Sequence, residues 1–272
     1  MNQAKVLNFF GLLLIMFGMS FAIPLFVAIF YGESLIRVFG LGMSILVLMG
    51  FLSWFFTKDN KQELSLSDGF VITVLFWIVL SVSGSIPFIL FGFGFVDSFF
   101  ESMSGITTTG ATVIAGLDDL PKSLLIYRQL LQWLGGMGLI VLAIAVMPLL
   151  GIGGGQLFKT QTPGPMSEQR LTPRITSTAR ALWSIYFVLT VLCIFAYRLA
   201  GMSYFDAVSH AFSTVSIGGF STHDLSIGFF DSLSIEIVCI TFMLLSAMSF
   251  AVHYSAISVS YTHLTLPTNT PV

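Results

Sequence analysis

Apolar residues form six long blocks along this chain, and short polar segments separate the blocks. A helix needs about 20 consecutive apolar residues to cross the hydrocarbon core of a membrane. The blocks lack the alternation of apolar and polar positions that is typical of strands in a membrane β-barrel. The pattern therefore predicts six membrane-spanning helices, at residues 5–31, 36–57, 69–93, 125–150, 177–200 and 232–257.

Two further apolar stretches, at residues 97–107 and 206–215, are too short to span a membrane. Each is followed by a run rich in Thr, Ser and Gly. Backbone that is not helical is tolerated at membrane depth only where protein or a water-filled cavity surrounds it. We therefore predict that each stretch is a re-entrant half helix followed by extended backbone.

The composition is that of an integral membrane protein. Of the 272 residues, 56% are hydrophobic and 9% are charged, whereas about a quarter of the residues in a soluble domain are charged. The net charge of −2 gives no indication of a nucleic-acid partner. Cys193 and Cys239 both lie inside apolar blocks, so we interpret them as reduced packing residues and not as a disulfide or a metal pair.

The distribution of basic residues predicts the orientation of the chain. Cytoplasmic segments of membrane proteins are enriched in lysine and arginine, and a cytoplasmic N-terminus places most of these residues inside. Most acidic residues then fall in the outer segments, where a negative vestibule would concentrate cations, although acids are also common in ordinary polar loops. The predicted cytoplasmic set is Lys5, Lys58, Lys61, Lys159, Arg170, Arg174 and Arg180.

One structural unit occurs twice, at a constant offset of 109 residues that carries Asp97 onto Asp206 and Gly110 onto Gly219. Each copy contains a spanning helix, a half helix, a glycine-containing segment and a second spanning helix. Both copies begin and end inside, so an axis along the membrane normal relates them, and each would line a pore on that axis equivalently. We predict an N-terminal two-helix extension at 1–60, repeat one at 68–150, a cytoplasmic linker at 151–176 and repeat two at 177–258.

The glycine-containing segments have the chemistry of a cation filter. A cation that sheds its water needs oxygen ligands, and backbone carbonyls supply them without a net charge. The segments 107–110 and 216–219 contain the glycines that such a backbone needs, and each follows the C-terminal end of a half helix, where the helix dipole favours a cation. At the opposite ends, we expect Asp97 and Asp206 to cap free N–H groups.

Other glycines and an arginine have simpler explanations. Gly135, Gly136 and Gly138 lie in the middle of a predicted span, where glycine most commonly permits close helix packing. Arg128 lies near the outer end of the same span, and we expect its side chain to extend to the membrane interface.

Three stretches of the sequence are distinctive: ESMSGITTTGATVIAGLDDLP, YRQLLQWLGGMGLIVLAIAVMPLLGIGGGQLF and IGGFSTHDLSIGFF. They resemble the Trk-type bacterial potassium uptake proteins, whose superfamily also contains the Ktr and plant high-affinity potassium transporters. The resemblance runs from about residue 5 to about residue 258. It implies an all-α membrane fold with four helix–pore loop–helix repeats around one pore. This chain would hold two N-terminal helices and the first two repeats.

The same resemblance implies potassium uptake across the bacterial inner membrane, through an open pore or by symport, with no cofactor other than the transported ion. It implies a homodimer in membrane lipid and a cytoplasmic nucleotide-binding regulatory subunit. Residues 245–249 depart from the family, which tends to carry glycine and asparagine there. Potassium would be coordinated by the backbone carbonyls of Thr108, Thr109, Gly110, Ile217, Gly218 and Gly219.

The C-terminal stretch 259–272 does not fit this pattern. It contains no lysine or arginine, although the preceding span should end in the cytoplasm, and VSYTHLTLPT resembles a translated sequencing adapter. We therefore expect a non-native tail on a truncated chain whose natural gene continues into two more repeats. Half a ring of carbonyls leaves an ion half dehydrated, so we expect the chain to be inactive by itself.

Two alternatives from other functional classes are an intramembrane enzyme and a membrane scaffold without transport. An enzyme would need acids, bases or metal ligands that face one another at membrane depth, and the candidates are His210 and His253. His210 has no obvious acidic or cysteine partner in sequence, so we expect a buried, hydrogen-bonded histidine. A scaffold has no need for glycine-containing backbone after two half helices.

Overall fold

The computed structural model describes residues 3–58, 66–146 and 175–248, and these residues form helices joined by turns, with no strand among them. The predicted linker up to residue 174, His253 and the tail at 259–272 lie outside the described residues. The helices are α1 (Gln3–Ser20), α2 (Ala22–Tyr31), α3 (Ile36–Thr57), α4 (Leu66–Phe91), α5 (Phe95–Ile106), α6 (Lys122–Val146), α7 (Ile175–Leu199), α8 (Tyr204–Val215) and α9 (Leu233–Ala247).

Four helical segments of the described chain are long and apolar enough to cross a membrane. The described parts of two further predicted spans, 125–150 and 232–257, are α6 and α9, and both predictions run beyond the described residues. The half helices α5 and α8 contain 12 residues each, which is too short to cross. The four spanning segments are Gln3–Tyr31, Ile36–Thr57, Asp68–Phe91 and Leu182–Leu199.

The first predicted span, 5–31, is not one continuous helix, because α1 ends at Ser20 and α2 begins at Ala22. Pro24 in the first turn of α2 has no N–H to bond with the carbonyl of Ser20, and proline inside a helix is disfavoured for this reason. At the same turn, the Ser20 hydroxyl donates to the carbonyl of Phe17 at 2.6 Å. The hydrophobic pattern predicted the span correctly but missed this break.

Glycines allow α1 and α3 to pack closely along the N-terminal extension. An ideal Cβ on Gly50 would lie 2.6 Å from the carbonyl oxygen of Gly11, and one on Gly11 would lie 2.7 Å from the backbone nitrogen of Trp54. The hydroxyl of Ser53 donates to the carbonyl of Leu7 at 2.8 Å across the same interface. Small residues at such a crossing let two helix backbones approach.

We expect Gly50→Val to destabilise the protein by about 1–3 kcal/mol, because the new side chain would overlap backbone atoms of α1 that cannot move independently. Gly40→Ala in the same helix is the matched control, since a Cβ there meets nothing within 4 Å. The midpoint of heat denaturation in detergent should fall for Gly50→Val and should not fall for Gly40→Ala. Equal midpoints for Gly50→Val and the parent would contradict the packing described here.

An aromatic cluster joins the N-terminal extension to repeat one. The ring of Tyr127, on α6, lies 5.2 Å from Phe21, 5.5 Å from Phe39 and 5.3 Å from Phe88, measured between ring centroids. The Tyr127 hydroxyl donates to the carbonyl of Gly84 at 2.7 Å. These contacts hold α6 against α3, α4 and the turn between α1 and α2. The same helix, α6, also packs against both half helices.

Candidate functional site

The half helix α5 ends in a tight left-handed turn. The N–H of Thr109 donates to the carbonyl of Ser104 at 2.9 Å, and the N–H of Thr108 donates to the carbonyl of Gly105 at 3.0 Å. This pair of bonds is the Schellman motif, in which two residues beyond the helix satisfy its last carbonyls. The motif stops the helix at Ile106 and reverses the chain into the predicted filter.

The half helix α8 ends in the same motif at equivalent positions. The N–H of Gly218 donates to the carbonyl of Ser213 at 2.8 Å, and the N–H of Ile217 donates to the carbonyl of Thr214 at 3.1 Å. All four residues lie 109 positions after their counterparts in repeat one. The sequence repeat is therefore also a repeat of backbone hydrogen bonds.

The predicted filter segments at 107–110 and 216–219, which we call the pore loops, adopt positive φ angles at equivalent residues. The values are 54° for Thr108 and 55° for Ile217, then 78° for Gly110 and 84° for Gly219. Positive φ is rare for a β-branched residue, and such strain persists only where the surrounding structure imposes it. The same φ pattern, with one β-branched residue and one glycine, therefore recurs in both loops.

The carbonyls of these loops are not used inside the described structure. The N–H groups of residues 108, 109, 217 and 218 donate back to the half helices. Within residues 3–58, 66–146 and 175–248, no donor bonds to the carbonyl oxygens of Thr108, Thr109, Gly110, Ile217, Gly218 or Gly219.

The two loops touch at their glycines. An ideal Cβ on Gly110 would overlap the carbonyl oxygen of Gly218 and lie 3.2 Å from its carbonyl carbon. The predicted filter segments of the two repeats are therefore neighbours, and only glycine fits at position 110. A side chain there would displace backbone of the other repeat.

Three residues on one face of α6 contact the pore loop of repeat two and the residues just after it. Arg128, Gln132 and Gly136 are spaced by four residues, so they lie one above another on the helix. Nη1 of Arg128 donates to a backbone carbonyl at 3.0 Å, Oε1 of Gln132 accepts from a backbone N–H at 3.0 Å, and a Cβ on Gly136 would lie 3.2 Å from a serine Cβ. The three loop partners are Ser221, Phe220 and Ser216, respectively.

Arg128 is part of a buried ion pair, so the expectation that its side chain extends to the interface is wrong. Its Nη2 lies 2.7 Å from Oε1 of Glu101, and both side chains are 0% exposed. Glu101 also accepts hydrogen bonds from the Thr112 hydroxyl at 2.9 Å and from the Val113 N–H at 3.2 Å. Arg128 also donates to the carbonyl of Ser221. The ion pair therefore connects the backbone that follows the pore loop of repeat one to the backbone that follows the pore loop of repeat two.

The glycines of α6 pack as predicted. An ideal Cβ on Gly135 would lie 2.7 Å from the carbonyl carbon of Ile106, the last residue of α5, and one on Gly138 would lie 3.3 Å from the ring of Phe76. Gly135 and Gly136 thus bring α6 against the ends of both half helices. Neither residue belongs to a filter.

Acids in the loops that follow the two predicted filter segments bind backbone N–H groups, a role that the sequence did not indicate. Asp224 accepts from the N–H groups of Gly116 and Leu117 at 3.1 and 3.0 Å. Oδ1 of Asp118 lies 2.5 Å from Nδ1 of His223, and this hydrogen bond lowers the pKa of the Asp118 carboxyl from its ordinary value. The loops that follow the two predicted filter segments are therefore bound to each other.

The predicted capping by acids is not what the half helices show. α5 is preceded by Gly94 without a side-chain cap, although Asp97 lies in its first turn. In α8, the hydroxyl of Ser203 accepts from the N–H of Asp206 at 3.1 Å, and the carboxylate of Asp206 accepts from the Thr222 hydroxyl at 2.9 Å. Asp206 thus connects α8 to the loop after the filter.

His210 is buried and hydrogen-bonded, as expected. Its ring nitrogens lie 2.9 Å from the carbonyl of Asp206 and 2.9 Å from the hydroxyl of Ser221. Cys193 and Cys239 are free. Among the described residues, no group of three or more His, Cys, Asp or Glu side chains could hold a metal ion.

Comparison with known proteins identifies the family. A family described as "TrkH: Cation transport protein" matches residues 35–267, which is most of the chain. The chain belongs to this family. Trk system potassium uptake protein TrkH of Halomonas elongata is 50% identical over 259 residues, which make up 94% of this chain and 54% of the relative.

A solved structure agrees with this assignment. The crystal structure of the potassium transporter TrkH from Vibrio parahaemolyticus matches with a TM-score of 0.82 and 47% identity, over 94% of this chain and 52% of that chain. The predicted all-α membrane fold is confirmed. The chain spans about half the length of the relatives that it matches, and as a member of a transport family it is not an enzyme.

Sequence reasoning missed three residues that support the segments after the two half helices: Glu101, Arg128 and Gln132. Each is polar and completely buried inside an apolar helical segment. Polar and charged residues at membrane depth are usually functional or paired with one another. That signal was present for Arg128, but its partner lies 27 positions away and no periodicity connects the two.

Proposed function

We propose that this chain forms the first half of the ion pathway of a potassium uptake protein, as the membrane subunit of a Trk-type system. The observation that carries the proposal is the repeated backbone shape of the two pore loops, with positive φ at equivalent residues. Several relatives are named as Trk system potassium uptake proteins. The proposed potassium ligands are the backbone carbonyls of Thr108, Thr109, Gly110, Ile217, Gly218 and Gly219.

The electrostatics of the loops suit a monovalent cation. The proposed ligands are uncharged, so a single positive charge can bind and leave again. The C-terminal ends of α5 and α8 carry partial negative charge toward the loops. Two buried charges that contact the backbone after the loops, Glu101 and Arg128, neutralise each other at 2.7 Å.

Two repeats would supply half of the ligands in a four-repeat ring. The desolvation cost of an ion is too large for half a ring to offset, so the proposal includes that the chain alone does not conduct. The proposal further includes a cytoplasmic N-terminus in the bacterial inner membrane, a homodimer and a cytoplasmic nucleotide-binding regulatory subunit. These parts rest on the distribution of basic residues and on the family resemblance.

A chimera tests the proposal. Residues 1–258 would replace the matching first half of TrkH from Vibrio parahaemolyticus, in a bacterium that lacks its own potassium uptake systems. We expect the chimera to restore growth at limiting potassium and to take up a rubidium tracer, whereas residues 1–258 alone restore neither. Accumulation against the potassium gradient that requires a proton or sodium gradient would favour symport over an open pore.

The unmodified Vibrio protein is the standard for expression. The amount of chimera in the membrane is compared with the amount of that protein by immunoblot. A chimera that reaches the same amount but transports no potassium or rubidium would overturn the proposed function. Growth rescue by residues 1–258 alone would overturn the half-ring argument.

A further inference from the structure

We propose that Gln132 is a positioning residue that determines ion selectivity, because it holds the repeat-two filter segment against the repeat-one filter segment. This inference rests on the proposed function, since it concerns the same two loops. Gln132 itself belongs to α6 of repeat one. The side chain therefore acts across the boundary between repeats.

Gln132 contacts the repeat-two loop from behind at two places. Its Oε1 accepts a hydrogen bond from the N–H of Phe220 at 3.0 Å. An ideal Cβ on Gly218 would lie 2.7 Å from Nε2 of Gln132 and closer still to the other carboxamide atoms. The carboxamide thus fills the space that a side chain at position 218 would need.

Gly218 is held from its other side by repeat one. Its carbonyl oxygen occupies the space where a Cβ on Gly110 would be. Gly218 therefore lies between the Gln132 carboxamide and the Gly110 backbone. A shorter side chain at position 132 would let the repeat-two loop move back toward α6, and the distance between the two sets of carbonyls would increase.

The burial of Gln132 also argues for a specific role. The side chain is 0% exposed, and its Nε2 has no hydrogen-bond partner among the described residues. An unsatisfied buried donor costs roughly 1–3 kcal/mol, so an apolar residue would be the more stable choice for packing alone. The bond to Phe220 and the fit against Gly218 are what a glutamine supplies here and an apolar residue does not.

A wider ring of carbonyls discriminates less between ions of different radius, if the filter selects by cavity size. We therefore expect that loss of the Gln132 bond lowers the preference for potassium over sodium. A change equivalent to one hydrogen bond corresponds to a selectivity ratio about tenfold lower. Conduction of both ions should continue, because the proposed ligands are main-chain atoms that remain present.

The experiment uses the chimera with the Vibrio second half, reconstituted in vesicles, and measures potassium and sodium uptake in the same preparation. The ratio of the two rates does not depend on how much protein is present, so it remains interpretable for a poorly expressed variant. Gln132→Met removes the acceptor at similar side-chain length, and Gln132→Asn keeps the acceptor but shortens the side chain. We expect both to lower the ratio about tenfold.

Gln129→Met is the matched control. Gln129 is a completely buried glutamine on the same helix, and no described residue bonds to its carboxamide. Its replacement should leave the ratio unchanged. An unchanged ratio in Gln132→Met, or a fall of the same size in Gln129→Met, would overturn the inference while the parent chimera still transports potassium.

Loss of transport of both ions in Gln132→Met would also contradict the positioning role, because repositioned carbonyls should still conduct. Failure of the parent chimera itself would instead count against the proposed function. The two failures are therefore distinguished by whether the parent transports potassium.

Discussion

The variant Gly110→Ala should reduce potassium uptake by the chimera at least about a hundredfold, which corresponds to about 2.7 kcal/mol in the barrier. A Cβ at this position would overlap the carbonyl oxygen of Gly218, so the two filter segments would have to separate. Alanine is also strained at the φ of 78° that Gly110 adopts. Rubidium tracer uptake in cells, normalised to the amount of chimera in the membrane, measures the effect.

Gly116→Ala separates the overlap from the backbone strain. Gly116 has a nearly equal φ of 74°, but a Cβ there would meet nothing within 4 Å. This variant should carry the cost of the positive φ, about 1–2 kcal/mol, and should retain most of the uptake. Equal losses in the two variants would show that strain, and not the contact between the loops, explains the effect at position 110.

The variant Arg128→Met should strongly destabilise the protein. It leaves the Glu101 carboxylate buried without its cation. Removing one partner of a buried ion pair lowers the free energy of unfolding by about 3–5 kcal/mol. In a protein of this size, that loss corresponds to a fall of roughly 10 °C in the denaturation midpoint. The fraction of detergent-solubilised protein that remains monodisperse after heating measures it.

Two further variants test whether the cost comes from the unpaired charge. The double variant Arg128→Met with Glu101→Gln removes both charges and should recover part of the lost stability. Arg37→Met, at an exposed position, should leave the midpoint within a few degrees of the parent. A double variant no more stable than Arg128→Met would indicate that the bond from Arg128 to the Ser221 carbonyl matters more than the charge pair.

The spanning segments and the half helices could be predicted from the sequence, because apolar block length is a local property and the second copy repeats the first. The same repeat pointed to Gly110 and Gly219, which share a positive φ. The family resemblance implied roles for Thr108 and Ile217, but a β-branched residue gives no sign in sequence that it adopts a positive φ. That conformation follows from the Schellman bonds of the half helices.

The supporting residues could not be predicted for a different reason. Glu33 accepts from the backbone N–H groups of Lys122 and Ser123 at 2.7 and 3.1 Å, and it thereby caps α6 across about 90 positions of sequence. A cap is recognisable in sequence only when it lies next to its helix. The break at Phe21 was missed because Pro24 lies inside an otherwise continuous apolar block, and proline is tolerated in membrane helices.

The bonds from Asp224 to the loop of repeat one have a consequence for biosynthesis. The N–H groups of Gly116 and Leu117 are synthesised before their acceptor Asp224, which follows them by 108 and 107 positions. A ribosome adds about 5–20 residues per second, so roughly 5–20 s pass before the partner exists. Water can bond to these two donors in the meantime, but the side chains of Arg128 and Gln132 are completely buried in the finished fold and bind backbone of repeat two. Repeat one therefore leaves the ribosome before these partners have been synthesised, and its two buried side chains gain those bonds only when repeat two follows.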